Sequence, residues 1–455
     1  MQNRAACSSR RRDALAESRD RSNEAKGRRS KASGRREPGG SETVILRAYK
    51  GSRTLVVQGV ERRAACAAST YLEKEELTMP IEPLFLVGAD NNAKPEGQKN
   101  LKDTADKFCE FVKATKSSLH IAAYHFKFFG DVAQQIREAL TEVAGHAEVK
   151  IAYFDEPKRA NSAHRQLYGG DQSGQSVFEG YERTHVQLKA IQSIDIHDLP
   201  EGVEPAPIEG DGALMHSKYM IRDNKDVWMG TANFTEDGWG LQDNNVLIFT
   251  GASELARYYT TDFDELWQYG RIAGTGKNDH GQLTISGDSL EVDFSPGDGP
   301  SIDERIAELI GTAKQSVSVA SMDISSALIL QALVNAIGKG IAVSGVYDGP
   351  QMAGVEKAWA RGNGSSQKAQ LWQQVKAKLV AKNSRKFNPS AANAFYNFMH
   401  NKTLVVDKKV IHTGSFNFSS NARRNAENVV NLTDETLGAD FDKYIAGLVK
   451  QYSPH

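Results

Sequence analysis

Residues 216–223 read HSKYMIRD and are followed by GTANF at 230–234; residues 400–407 read HNKTLVVD and are followed by GSFNF at 414–418. His216, Lys218 and Asp223 thus match His400, Lys402 and Asp407, and at common offsets Gly230 and Asn233 match Gly414 and Asn417. Thr231 in the first copy stands where the second has Ser415. One His-x-Lys-x-x-x-x-Asp match is a weak signal in a chain of 455 residues. Two copies sharing the downstream Gly and Asn mark a duplication.

The spacing predicts a local geometry. Met220, Ile221, Leu404, Val405 and Val406 give both copies strand character. Positions i and i+2 of a strand share a face, so His216 and Lys218 point one way together, as do His400 and Lys402. Asp223 and Asp407 fall in polar turns, and strands return through Val227–Met229 and Val410–Thr413. These hairpins carry Asn233 and Asn417 back towards the level of the histidines. The two aspartates belong to the turns, where a carboxylate satisfies backbone amides or a nearby cation.

The duplication extends outward from the motifs. In the first copy a helix over Asn100–Thr115 precedes a strand over Ser118–Tyr124, a helix over Val132–Val143 and a strand over Val149–Phe154. In the second the order repeats over Ser301–Ala313, Ser316–Met322, Ala327–Ile337 and Ile341–Tyr347. Alternating strands and helices argue for βαβ units with parallel pairing. We therefore expect an α/β fold of two similar halves, residues 79–285 and 286–455, with a Gly-rich seam over Gly270–Gly287. A first strand is expected over Pro83–Val87, just after Met79. Residues 1–78, with one strand-like stretch at Thr54–Val60, read as a basic, disordered leader. Pro157–Gly212 and Gly349–Ala394 read as polar loops that shape a pocket ahead of each motif.

Bulk properties fit a soluble, cytoplasmic protein: 40% hydrophobic and 25% charged residues, with no apolar run approaching the ~20 residues of a membrane span and no apolar signal-peptide core. The formal net charge of -1 hides an uneven distribution, because residues 1–40 hold 12 Lys or Arg against 5 Asp or Glu. The remainder is mildly acidic, which argues against a protein that grips long duplex nucleic acid. Cys7, Cys66 and Cys109 suit neither a zinc site nor a disulfide framework, and Cys109 reads as a small buried hydrophobe on a helix.

Two histidines, two lysines and two asparagines provide positive charge and hydrogen-bond donors without a carboxylate cage. Such a set suits a phosphoryl group whose charge must be stabilised. One neutral imidazole can attack phosphorus while the other, protonated, donates to the leaving oxygen and later activates water. An ammonium beside each histidine repels a cation, so no metal and no other cofactor is expected.

With these residues the chain resembles the phospholipase D superfamily, whose signature is the His-Lys-Asp motif with a downstream Gly-Ser-x-Asn. The resemblance covers residues 79 to 455. It implies two mixed-sheet α/β halves related by a pseudo-two-fold axis with one shared site, and metal-independent catalysis through a covalent phosphohistidine. It also implies a monomer, since both motifs lie in one chain. The stretch FSPGDGP at 294–300 resembles the segment that opens a catalytic half. Asn425 and Glu427 resemble the family's Asn-x-Glu, whose glutamate orients a histidine; Leu241 and Asp243 stand at those offsets in the first copy. The family habit of an N-terminal nucleophile points to His216 with His400 as the general acid, whereas the closer match of the second copy points the other way. The resemblance implies a phosphodiester substrate, favouring a phospholipid head group, with a nuclease or other phosphodiesterase acting on single-stranded nucleic acid as the alternative and an inactive binding protein as a third reading.

Other residues take structural readings. Trp228, Trp239, Phe234 and Phe416 read as core aromatics beside the hairpins. His125 and Lys127 mimic a motif fragment, but Val132 stands where its Asp would fall, so His125 reads as a polar strand end at the edge of the pocket. His412 reads as structural.

Overall fold

The computed structural model describes residues 81–89, 94–155, 193–285, 287–362, 366–387 and 395–454. The expected leader and the stretch Thr54–Val60 lie outside them. From the N-terminal side the elements are β1 (Ile81–Leu86), α1 (Lys94–Lys113), β2 (Ser118–Ala123), β3 (Phe126–Phe129), α2 (Gly130–Ala144), β4 (Glu148–Phe154) and β5 (Ser193–Asp195). Then follow β6 (Val203–Ile208), β7 (Lys218–Arg222), β8 (Asp226–Gly230), β9 (Phe234–Thr235), α3 (Glu236–Gly240), β10 (Asn244–Phe249) and α4 (Ser253–Tyr269).

The second series runs β11 (Gly281–Ile285), β12 (Asp288–Ser295), α5 (Gly299–Thr312), β13 (Ser316–Ser321), α6 (Ala327–Gly338), β14 (Ala342–Asp348), α7 (Gly349–Arg361), α8 (Ser366–Lys376) and β15 (Val380–Lys382). It closes with β16 (Lys386–Phe387), β17 (Phe395–Tyr396), β18 (Lys402–Val406), β19 (Val410–Gly414), β20 (Glu427–Thr433) and α9 (Glu435–Tyr452). All the described residues belong to one compact unit, Lys74–His455.

Two mixed sheets result, ordered β1-β10-β8-β7-β2-β4-β6 and β11-β12-β20-β19-β18-β13-β14-β15. Apart from β11, the two orders correspond strand for strand. The βαβ units pair in parallel, β2 with β4 and β13 with β14, and the motif hairpins pair antiparallel. Because β11 pairs with β12, the second sheet begins before residue 286, earlier than the sequence suggests.

Side-chain alternation explains the layers. On β7, Tyr219 and Ile221 enter a core shared by both sheets, while Met220 enters one lined by α1 and α2. The shared core takes Leu255, Tyr259 and Phe263 from α4 and Phe441, Tyr444 and Ile445 from α9, together with Val405, Ile411 and Val430 of the second sheet. The outer face of the second sheet packs on Ile306, Leu330 and Trp372 from α5, α6 and α8. No helix among the described residues is long and apolar enough to cross a membrane.

The segments read as polar loops are partly regular structure. β6 extends the first sheet beyond β4, and its Pro205 and Pro207 hide it in the sequence. Proline cannot donate to a ladder, so such a strand is confined to an edge, where β6 lies. After β14, Asp348 caps α7 by accepting from Gln351 N, with Pro350 in the first turn. The parts of both segments at 156–192, 363–365 and 388–394 lie outside the described residues.

Each motif ends in a tight turn. Asp223 and Asn224 have φ of 55° and 51°, Asp407 and Lys408 52° and 57°, and Lys225 N and Lys409 N close the turns onto Arg222 O and Val406 O. Positive φ at both central positions matches the twist of a hairpin. The Asp223 carboxylate accepts from the backbone N–H of Lys116, Ser117 and Ser118, and Asp407 accepts from those of Lys314, Gln315 and Ser316. Each aspartate so ties its hairpin to the turn that launches the neighbouring strand. Burial opposes the charge of both carboxylates, but the backbone donors prevail and hold both below the usual range. A depressed folded value stabilises at neutral pH and loses its effect as pH falls through it. Asp407→Ala is expected to cost about 2–3 kcal/mol at pH 7, with the gap to the parent protein narrowing below about pH 4. Urea unfolding at both pH values checks this; equal stability at pH 7 would contradict it.

Candidate active site

Both histidines precede a hairpin strand and are held by the other half. His216 N–H donates to Ala426 O (2.8 Å), and His400 N–H donates to Asp243 O (3.0 Å). Met215 bridges Ala426, and Asp243 bridges Met399. The two motifs meet at this crossing. Lys218 Nζ donates to His216 O, and Lys402 Nζ to His400 O (2.6 Å), so each lysine turns back to its own histidine. All four side chains are buried.

The two rings have different partners. His216 Nδ1 lies 2.7 Å from Glu427 Oε2, and Asn425 Nδ2 donates to Glu427 Oε1 (2.9 Å). When Glu427 is ionised it only accepts, which places the proton of His216 on Nδ1 and leaves Nε2 its lone pair. His400 Nδ1 lies 3.0 Å from Asn244 Oδ1, whose amide is fixed by Nδ2 donating to Gly238 O (2.9 Å) and by Thr231 Oγ1 donating to Oδ1 (2.8 Å).

Equal offsets in the sequence pair Glu427 with Asp243, and the structure corrects this. Gly230 stands opposite Val246, and its counterpart Gly414 stands opposite Val429, so the path from β8 to β10 is one residue longer than that from β19 to β20. Asn244 is therefore the counterpart of Glu427, and Gln242, not Leu241, is that of Asn425. Asp243 faces away from His400: it accepts from Gly88 N (2.6 Å), Lys382 Nζ (2.7 Å) and Tyr452 OH (3.1 Å).

Electrostatically the site is a buried cluster of two lysines and two histidines. Burial, then Lys218, Lys402 and His125, push His216 well below its ordinary value; burial, Lys402, Lys218 and His216 do the same to His400. Burial pulls Lys218 down to about 7, against the pull of Glu427, and burial together with Lys218 lowers Lys402. Glu427 is raised to about 7 by burial, although Lys218, Ser415 and Asn425 favour its charge. A bound anion would reverse these penalties on the cations.

The small residues of the motif have packing reasons. A Cβ at Gly230 would meet Asn245 O at 2.3 Å, and one at Gly414 would meet Asn428 O at 2.1 Å. The residues that follow donate across the same gap, Thr231 N to Asn245 O and Ser415 N to Asn428 O (2.9 Å each). Asn233 Oδ1 and Asn417 Oδ1 are enclosed with no hydrogen-bond partner among the described residues. Asp223 and Asp407 sit at the hairpin turns.

Tyr124 is a site residue that the sequence reading missed. Its ring meets His216 edge-on at 4.9 Å, and Lys218 Nζ lies 5.0 Å from its centroid. The one signal was an aromatic ending the first SLHIAAY strand where the second copy has Met322. His125 stacks on Tyr124 at 3.9 Å, beside the site. Trp228, Trp239 and Phe234 pack around Phe108 in the first core, and Phe416 lies in the second. His412 is buried against Asn431 and pulled down to about 4 by burial. Burial pushes the Cys109 thiol up to about 12.

A family model described as "Cardiolipin synthase, PLD-like domain" matches residues 108–267 and 306–449, taking in both motifs. The chain belongs to the phospholipase D-like family. Curated relatives named "Phospholipase D" include that of Rickettsia bellii, 30% identical over 34% of this chain and 67% of its own length. That of Rickettsia conorii is 32% identical over 30% of this chain and 58% of its own. The crystal structure of phosphatidylserine synthase from Haemophilus influenzae shares the fold, with a TM-score of 0.52 at 12% identity over 82% of this chain and 89% of that one.

In this phospholipase D-like chain the pair of Asp243 and Lys382 is structural and buried, with side-chain exposures of 0% and 4%. Asp243→Ala would strand a buried ammonium and is expected to cost about 3–5 kcal/mol. Urea unfolding measures it, and a stability change below about 1 kcal/mol would contradict the pairing.

Proposed function

We propose that this protein is a phosphodiesterase of the phospholipase D type, hydrolysing or transferring a phosphodiester through a covalent phosphohistidine without a metal. The observation that carries the reading is the unequal support of two histidines in one pocket with two buried lysines. His216, neutral and held by Glu427 through Nδ1, presents Nε2 as the nucleophile. It attacks phosphorus, forming a P–N bond as the P–O bond to the leaving alcohol breaks. Lys218, Lys402, Asn233 and Asn417 stabilise the charge on the non-bridging oxygens.

His400, supported by neutral Asn244, is the general acid that gives the leaving oxygen its proton. The anionic substrate favours protonation of His400 against the burial that otherwise discourages it. In the second step His400 takes a proton from water or an acceptor alcohol, whose oxygen displaces His216 from phosphorus. Glu427 holds the Nδ1 proton and offsets the positive charge on the phosphorylated ring, as an orienting carboxylate does in a catalytic triad.

The favoured substrate is a phospholipid head group, in line with the names of the curated relatives. One feature speaks for a nucleic-acid strand instead: a groove of about 730 Å³ is lined in part by Ala213, Lys277, Arg423 and Arg424. Release of choline from phosphatidylcholine vesicles, compared with cleavage of single-stranded DNA, separates the two.

His216→Ala and His400→Ala are each expected to abolish hydrolysis of bis(4-nitrophenyl) phosphate, with the parent activity unchanged by EDTA. Full activity in either variant, or loss with chelator, would contradict the mechanism. Glu427→Gln is expected to lower kcat by about 100- to 10,000-fold; an unchanged kcat would remove Glu427 from it.

A further inference from the structure

The pseudo-two-fold relation between the halves extends past the motifs to the strands beside them. Ala123 stands opposite Lys218 and Ser321 opposite Lys402. Phe126 pairs with Phe234, and Ile324 bridges Phe418. His125 and Asp323 therefore occupy the same place in the two halves. One half has an imidazole there and the other a carboxylate.

Asp323 is held against the second motif by backbone bonds on both sides. Met322 N–H donates to Asn401 O (2.9 Å), and Ser325 and Ser326 N–H donate to Phe418 O (2.8 Å each). Phe418 adjoins Asn417. The Oδ1 of Asp323 is enclosed and has no hydrogen-bond partner among the described residues. Ser321, two residues before Asp323, stands opposite the fully buried Lys402 in the pairing of β13 with β18. We propose that Asp323 is a positioning residue acting through Lys402: its enclosed carboxylate balances the buried ammonium that awaits the phosphoryl group, at the place where the first half has His125.

The charges around both groups are consistent with this. Burial and Lys218 disfavour the Lys402 ammonium, while Glu427 and Asp323 favour it. Glu427 is already engaged by His216. Lys218 has Glu427 as its supporting carboxylate. Asp323 itself is raised to about 6 by burial, against Ser325, Lys368 of α8 and Lys402. His216 and His400 both feel Lys402 as a neighbouring positive charge.

The inference rests on the phosphodiesterase reading, and its sign is definite. Removing a negative charge lowers the pH at which Lys402 loses its proton, so the defect grows with pH. We would measure kcat/KM for bis(4-nitrophenyl) phosphate against pH, and inorganic tungstate binding over the same range, for the full chain, Asp323→Asn and Asp323→Glu. Asp323→Asn should shift the alkaline limb and the tungstate profile down by about one pH unit, the effect of one nearby opposite charge. Asp323→Glu should restore both towards the parent values. Unmoved profiles in Asp323→Asn, or a Glu variant displaced as far as the Asn variant, would overturn the assignment. The tungstate profile decides the matter even for a variant too slow to assay. Tungstate binding without turnover by the parent protein would instead contradict the phosphodiesterase reading.

Discussion

The bond between His216 and Glu427 is the interaction on which the rest of the site depends. A carboxylate with no exposed surface is costly unless it is paired and hydrogen-bonded. Here the imidazole and Asn425 satisfy its two oxygens. The histidine comes from the first half and the glutamate from the second, so neither half alone contains this pair. The reciprocal bonds from His216 N to Ala426 O and from His400 N to Asp243 O fix the crossing at which the pair forms. Around it, Asn245 bonds Asn401, Thr403 and Thr413, and Tyr444 OH bonds Leu86 O and Asn244 O, making the interface a polar layer with mutual partners.

That layer encloses two buried lysines, Lys218 and Lys402. In water two ammonium groups at such a site would interact weakly; away from it they disfavour each other and both histidines. The arrangement is poised for an anion, which relieves the repulsion as it binds. Symmetry breaks at three places around this pocket: Glu427 against Asn244, Tyr124 against Met322, and Asp323 against His125. The first distinguishes the rings. The second places an aromatic face under Lys218, where the other half has a thioether. The third gives the two lysines different support.

The duplication was legible because His, Lys, Gly and Asn recur at fixed offsets, and strand periodicity placed β2, β4, β13 and β14 to within a residue or two. The turn role of Asp223 and Asp407 could be read from their place between alternating strands. Three features were hidden for physical reasons. Val203–Ile208 carries two prolines and looked like a loop, because its edge position is a property of the finished sheet. Asn244 was displaced in the comparison of copies by the extra residue before β10, since equal sequence offsets do not survive a change in loop length. Tyr124 lies far from both motifs in sequence, and only the β2–β7 pairing brings it to His216.

The central claim is that the histidine backed by a carboxylate from the other half is the one that bonds phosphorus. Rapid acid-free quenching of the enzyme with a 32P-labelled phosphodiester, followed by peptide mapping, tests it most directly. With labelled bis(4-nitrophenyl) phosphate, whose leaving group departs without an acid, the account predicts an acid-labile, base-stable phosphoramidate on His216 that accumulates in His400→Ala because the second step lacks its base. Label on His400, or no labelled histidine in either protein, would contradict it.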